Sequence, residues 1–166
     1  MIRYAMAAAL LALPQAAAAQ ANACLTRAEV RTLIVFATPS LVEAASMKCA
    51  AALPADSFLR TGAGAMVERL RGESKAEAGS IITVIEKLAG EKMPSGLSEE
   101  TTQSLVRDIV GAELAKDIDP NDCGTIDAVA SSLSPLPASN IATLTAAILE
   151  LGAGKDKKAP FRICEG

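Results

Sequence analysis

The stretch "LTRAEVRTLIVFATPSLVEAASMKC", Leu25–Cys49, carries legible helix signals. Thr26 and Glu29 have the spacing of a capping box, in which each side chain accepts a hydrogen bond from the backbone of the other residue. Apolar residues then recur at helical spacing. Pro39 has no amide hydrogen and suits the first turn of a helix, with Thr38 as its cap. We therefore predict two short helices that meet at a turn at Thr38-Pro39.

The rest of the chain shows similar helix signals and no alternating apolar and polar segments that would indicate a sheet. The expected fold is all-α: a compact bundle of about six or seven short helices stapled by two disulfides. The further predicted helical regions are Asp56–Arg71, a helix that begins with the capping-box pair Ser74 and Glu77 and ends at Gly90, a helix capped by Ser98, a helix that begins near Asn121, and one from about Ser139 to Leu151.

The first residues have the layout of a secretory signal peptide. Residues 1–19, "MIRYAMAAALLALPQAAAA", contain Arg3, then a short apolar run, then small residues. We expect cleavage at residue 19, or alternatively at residue 21, and a single helical domain, 24–166, with a polar C-terminal tail. A lipid anchor on Cys24 is disfavoured because Ala21 stands where such a signal carries Leu or a similar residue. The expected location is therefore periplasmic or secreted.

Composition excludes several classes of function. The chain has no His and no Trp, and its formal charge is −3. A nucleic-acid partner is therefore not expected, because the chain offers neither a basic surface nor aromatic side chains on which bases could stack. We also predict that no segment after residue 21 is long and apolar enough to span a bilayer, and hence that the protein has no stable membrane anchor.

Four cysteines lie far apart in the sequence: Cys24, Cys49, Cys123 and Cys164. An even number of cysteines in an exported chain indicates disulfides. Zinc sites require clustered Cys or His, and redox sites of the Cys-x-x-Cys type require closely spaced pairs. Neither pattern occurs in this sequence, so we predict two structural disulfides and no cofactor.

The expected hairpin at Thr38-Pro39 favours one pairing of the cysteines. Because the second helix would run back alongside the first, Cys49 would return beside Cys24. The C-terminal tail could then bring Cys164 to Cys123. The preferred pairs are Cys24–Cys49 and Cys123–Cys164, with Cys24–Cys164 and Cys49–Cys123 as the alternative.

The stretch "DIDPNDCGTID", which begins at Asp117, resembles the start of a calcium loop. Asp117, Asp119 and Asn121 alternate as calcium ligands do, but an EF-type loop also needs Gly at its sixth position and Glu at its twelfth. Asp122 and Ala128 stand at those positions. We therefore predict no metal site, with an irregular, weak calcium site as the alternative, and interpret Asn121 or Asp122 as the cap of a helix.

No catalytic constellation is visible, since the serines have no histidine to activate them. We expect a non-enzymatic protein that binds a protein partner in the cell envelope, in an inhibitory, immunity or chaperone-like holding role. The alternative function is the transport of a small apolar ligand in a pocket between helices. The pocket residues for this alternative are Ile81, Ile85, Leu105, Ile109 and Leu144, although the favoured interpretation of the same residues is an ordinary core.

Overall fold

A computed structural model describes residues 24–90, 92, 98–153 and 162–164 of the chain. The predicted signal peptide, 1–19, lies outside these residues. Within the described part the protein has seven α-helices and two very short strands, which confirms the predicted all-α class.

The helices and strands follow one another along the chain, with 3₁₀ turns at Lys75–Glu77 and Pro120–Asp122. Their bounds are β1 Cys24–Leu25, α1 Arg27–Cys49, α2 Phe58–Thr61, α3 Ala63–Ser74, α4 Ala78–Ala89, α5 Glu99–Lys116, α6 Cys123–Leu133, α7 Ala138–Ala153 and β2 Arg162–Ile163.

Helix α1 begins as the sequence predicts. The amide of Glu29 donates to Oγ1 of Thr26 at 3.2 Å, and the amide of Thr26 donates to Oε2 of Glu29 at 2.7 Å, which completes the capping box. Lys87 of α4 also donates to Glu29, at 2.8 Å. The Lys87 ammonium, with the Thr26 bonds, holds the pKa of Glu29 below its usual range. The start of α1 is therefore fixed both locally and by a neighbouring helix.

The predicted turn at Thr38-Pro39 is wrong, because α1 runs without a break from Arg27 to Cys49 with Pro39 in its interior. Pro39 cannot donate to the carbonyl of Val35, a defect that costs about 3 kcal/mol in a helix interior. The Thr38 hydroxyl, which we expected to cap a new helix, instead donates to the carbonyl of Ile34 at 2.6 Å. Pro39 is fully buried, so packing offsets the local cost.

Helix α1 is the centre of the domain, with α3, α4, α5 and α7 packed around it. Two groups of buried residues lie along it. One surrounds the C-terminal half of α1 and includes Cys49, Leu70 and Ile141, and the other surrounds the N-terminal half and includes Phe36 and Ile81. Helices α3, α4, α5 and α7 pack against α1, so their positions depend on the length and direction of α1.

By length and composition, α1 could cross a membrane, which corrects the expectation that no such segment follows the leader. A central core helix can have the same length and composition. In this fold α1 is enclosed by four other helices, and Val30, Phe36 and Ala45 are among its buried residues. The structure therefore assigns the apolar character of α1 to the core.

The preferred disulfide pairing is wrong, and the alternative pairing is the one observed. Cys24 is bonded to Cys164 and Cys49 to Cys123, with Cα–Cα distances of 5.0 and 5.5 Å. The unbroken α1 explains the difference. A helix of its length separates its ends by about 35 Å, whereas a disulfide joins Cα atoms about 7 Å apart at most. Cys24 and Cys49 therefore cannot meet.

The two strands hold the C-terminal end of the described chain beside its N-terminal end. β1 and β2 pair in parallel, with Cys24 opposite Arg162 and Leu25 opposite Ile163. The amide of Cys164 donates to the carbonyl of Leu25 at 2.9 Å. Leu25 is fully buried, so this ladder, which the sequence did not indicate, closes one end of the core.

The junction between α3 and α4 also differs from the prediction. Ser74 does not cap α4: it is the last residue of α3, it is buried, and its hydroxyl donates to the carbonyl of Arg71 at 3.1 Å. A 3₁₀ turn then leads into α4, whose N-cap residue Glu77 makes no side-chain capping bond. The other end of α4 agrees with the prediction, since Gly90 has a left-handed backbone with φ 71°.

Glu73 of α3 caps helix α7 from outside. Its Oε2 accepts a hydrogen bond from the amide of Ala138, the first residue of α7, at 2.5 Å. Arg69 donates to the other carboxylate oxygen at 2.8 Å. The Ala138 amide, followed by Arg69, holds the pKa of Glu73 below its usual value of 4.5. The ionised carboxylate therefore links α3 to the start of α7.

We predict that Glu73→Gln lowers the stability of the domain by about 1 kcal/mol at pH 7, because a charged cap becomes a neutral one. A lowered pKa means that the carboxylate stabilises the fold above the unfolded-state value of 4.5 and loses this effect as pH falls through its lower folded-state pKa. The difference in unfolding free energy between wild type and variant, measured in urea, should therefore shrink below pH 4.5.

Glu68→Gln is the matched control, since the Glu68 side chain is 77% exposed and its contact with Arg71 is long, at 3.4 Å. It should change stability little at any pH. A Glu73→Gln deficit that stays constant into acid would contradict a role for the ionised cap.

Candidate functional site

The exposed side of α7 carries several large apolar side chains. Leu144, Ile148 and Leu151 are 48, 59 and 80% exposed. Their spacing of four and three residues places them on one face, which we call the α7 face. The opposite side of the helix contributes buried residues such as Ala142 and Ala146 to the two halves of the core. The α7 face therefore is not needed to close the core.

The α7 face is also uncharged. Glu150 is the one charged residue in the sequence of α7, and both of its carboxylate oxygens accept hydrogen bonds from Arg27 of α1, at 2.6 and 2.9 Å. The other exposed residues around the face are small or neutral, such as Ser139, Asn140 and Ala147. Depletion of charge together with large exposed apolar side chains distinguishes the centres of protein interfaces from ordinary surface.

The five residues proposed for a ligand pocket lie in different environments. Ile81 and Ile85 pack in the core around Phe36, whereas Leu105 and Ile109 are 45 and 59% exposed on α5, and Leu144 belongs to the α7 face. The structure therefore does not bring these five side chains together in one buried set. The helical spacing was correct, but it does not show which apolar side chains other helices cover.

A groove of about 670 Å³ runs between α1 and α5, with α3 at its edge. The two helices run in the same direction, because Arg107 lies over Phe36 and Gly111 lies against Ser40. A Cβ atom placed on Gly111 would be 3.5 Å from Cβ of Ser40, so the helices approach closely there. Small residues of both helices form much of its lining, namely Ala44, Gly111, Ala112 and Ala115.

Charged side chains also line the groove, and they differ in whether they are paired within the protein. Arg71 of α3 donates to Glu43 of α1 at 2.6 Å, so that pair is satisfied within the protein. The guanidinium carbon of Arg107 lies 5.0 Å from the centre of the Phe36 ring. The Nε atom of Arg107 is buried and has no hydrogen-bond partner in the part of the chain that the structure describes. Asp108, beside it, is exposed.

The stretch that resembles a calcium loop forms a helix entrance. Oδ1 of Asp119 accepts a hydrogen bond from the amide of Asn121 at 2.8 Å and caps the 3₁₀ turn Pro120–Asp122. Asp122 precedes α6 but makes no side-chain capping bond. Asp122 therefore stands at the predicted N-cap position of α6, but the side-chain capping bond is made by Asp119 to the preceding 3₁₀ turn.

Among the described residues, no three Cys, Asp or Glu side chains are arranged to hold a metal ion. Calcium binding by Asp117, Asp119 and Asn121 was the alternative to a cap, and it can be separated from capping by experiment. A cap acts without metal, whereas a ligand stabilises the fold only when calcium is bound.

We predict that Asp119→Ala lowers the unfolding free energy by about 1 kcal/mol, equally in EDTA and in millimolar calcium, because it removes the turn's cap. Asp117→Ala is the matched control and should have little effect, since Asp117 is the C-cap residue of α5 and its side chain makes no hydrogen bond among the described residues. Calcium at a hundred times its dissociation constant would instead raise stability by about 2.7 kcal/mol. Such a rise, abolished by Asp117→Ala, would contradict the capping role.

No protein-family model, no curated protein and no solved structure matches this chain. Its function must therefore be argued from its own surfaces.

Sequence reasoning missed both of these surfaces. The Ile141, Leu144, Ile148 and Leu151 pattern marked α7 as apolar, but the same pattern suits a buried helix. The groove could have been suspected from the small residues Gly111, Ala112 and Ala115 on α5, which leave room beside a neighbouring helix. The partner of α5 could not be read from the sequence, because α1 was expected to end at Thr38.

Proposed function

We propose that this chain is an exported, non-enzymatic binding protein whose α7 face docks against another protein. The observation that carries the proposal is the uncharged α7 face, with Leu144, Ile148 and Leu151 exposed in a row. The helix extends about 24 Å, enough for one side of a standard protein interface. An apolar helix face of the partner suits it, because i, i+4, i+7 side chains pack between the ridges of another helix.

The way in which α7 is held supports a preformed interface. Glu73 caps its first residue, and Arg27 binds Glu150 near its other end. The Cys24–Cys164 and Cys49–Cys123 disulfides restrict the ends of α1, on which α7 packs. A rigid surface loses little conformational entropy when a partner binds, so more of the contact energy is expressed as affinity.

Features of the whole chain support a role without catalysis. It has no histidine, and all four cysteines are in disulfides. The inhibitory, immunity and chaperone-like holding roles all require the same property, a surface that recognises a partner. The α7 face supports binding in general and does not favour one of these three roles.

Export is part of the proposal. Two disulfides are compatible with a secreted or periplasmic protein, because such compartments are oxidising. We propose that residues 1–19 direct the chain there and are then removed.

The proposal predicts that a photo-crosslinking amino acid at Ala147, which is exposed beside the α7 face, captures a defined protein partner in the cell envelope. The same amino acid at Ala128 on exposed α6 is the matched control and should not capture it. Leu144→Gln with Ile148→Gln should abolish the adduct at Ala147, because polar side chains remove the apolar contact.

The double variant must first be shown to melt as wild type does, since substitutions at exposed positions change stability by about 0.5 kcal/mol each. Equal adducts from Ala147 and Ala128, or an Ala147 adduct that survives the double variant, would contradict the α7 face as the interface. An adduct with the mass of two copies of this chain would replace the envelope partner with self-association.

A further inference from the structure

We infer that the groove between α1 and α5 is a binding site for a small organic monocarboxylate, whose carboxylate pairs with Arg107 and whose apolar body lies along Ala44, Ala112 and Ala115. This site is distinct from the α7 face and does not depend on it.

The positive charge of Arg107 indicates that the ligand is negatively charged. Among the described residues, no hydrogen bond or ion pair involves Arg107, and its Nε is buried without an acceptor. A buried donor without an acceptor is unfavourable, and folded proteins rarely leave one unused. The guanidinium is already held over the Phe36 ring, 5.0 Å from its centre. The two terminal nitrogens are not among the buried atoms, so a two-oxygen acceptor in the groove would pair with them, and the guanidinium plane is oriented before any ligand arrives.

The other charged residues of the groove favour a ligand that carries a single negative charge. Glu43 is neutralised by Arg71, at 2.6 Å, and so does not compete for Arg107. Asp108 also lines the groove and has no ion pair among the described residues. A ligand with more than one negative charge, such as phosphate, would be repelled by Asp108. A monocarboxylate places its charge at Arg107 alone.

The shape and lining of the groove indicate an elongated, partly apolar ligand. Its volume of about 670 Å³ is within the range of small-molecule sites. Ala44, Ala112 and Ala115 offer a smooth apolar surface, and Met47 is an adaptable side chain at the same wall. The hydroxyls of Ser40 and Ser104 supply further hydrogen-bonding groups. A carboxylate with a short alkyl chain satisfies both parts of the site.

The test is an NMR titration of ¹⁵N-labelled, disulfide-intact protein with octanoate as the probe. Octanoate should shift the Nε–H resonance of Arg107 and the amides around Gly111, with a dissociation constant of about 1 mM or lower. Octanol, which has no charge, and inorganic phosphate, which has no apolar body, should each bind at least about tenfold more weakly.

Three variants locate the site. Arg107→Gln should weaken octanoate binding about tenfold or more, because the cation is lost, whereas Asp108→Asn should strengthen it about threefold. Since Arg107 also packs on Phe36, its replacement could disturb the fold. Ala112→Leu leaves Arg107 in place and should block binding by filling the groove. The same change at Ala128, on α6, is the matched control and should leave the titration unchanged.

Several outcomes would overturn the inference. These are the absence of saturable shifts with octanoate, equal binding of octanol, tighter binding of phosphate, and unchanged octanoate binding in folded Ala112→Leu protein.

Discussion

The whole domain depends on the continuity of α1 through Pro39. A proline in a helix interior loses one hydrogen bond and costs about 3 kcal/mol. Here the residue is fully buried among helices that pack on every side, and the hydroxyl of Thr38 makes an additional bond to the carbonyl of Ile34. Because the helix does not turn, its ends lie on opposite sides of the domain. One disulfide is then available to each end, Cys24–Cys164 at one and Cys49–Cys123 at the other.

The two candidate surfaces are consequences of the same arrangement. Helices α5 and α7 each use one side to cover α1, and the remaining sides face outward. On α7 that outward side is apolar and uncharged, which suits another protein. Between α5 and α1, small side chains leave a groove in which Arg107 has no acceptor among the described residues. The helices around α1 thus have sides that the core does not need. We propose that the protein binds its partner and its ligand through these outward sides, the α7 face and the groove between α1 and α5.

Local signals predicted local structure well. The capping box of Thr26 and Glu29, the cap at Ser98 and the left-handed end at Gly90 all occur as expected, because each depends on residues within one turn. Pro39 failed as a signal because long-range packing outweighed its local preference, and the wrong disulfide pairing followed from that one error. The candidate pocket failed for a related reason: periodicity shows that Leu105 and Ile109 share a face of α5, not whether another helix covers that face.

Tryptic mapping of the unreduced protein tests directly whether α1 continues through Pro39. Lys48, Arg60, Lys116 and Arg162 are cleavage sites that place the four cysteines in separate peptides. A continuous α1 predicts that the peptide containing Cys24 is linked to 163–166 and that 49–60 is linked to 117–155. A link between the Cys24 peptide and 49–60 would require the chain to turn back at Pro39. Such a link would contradict a continuous α1.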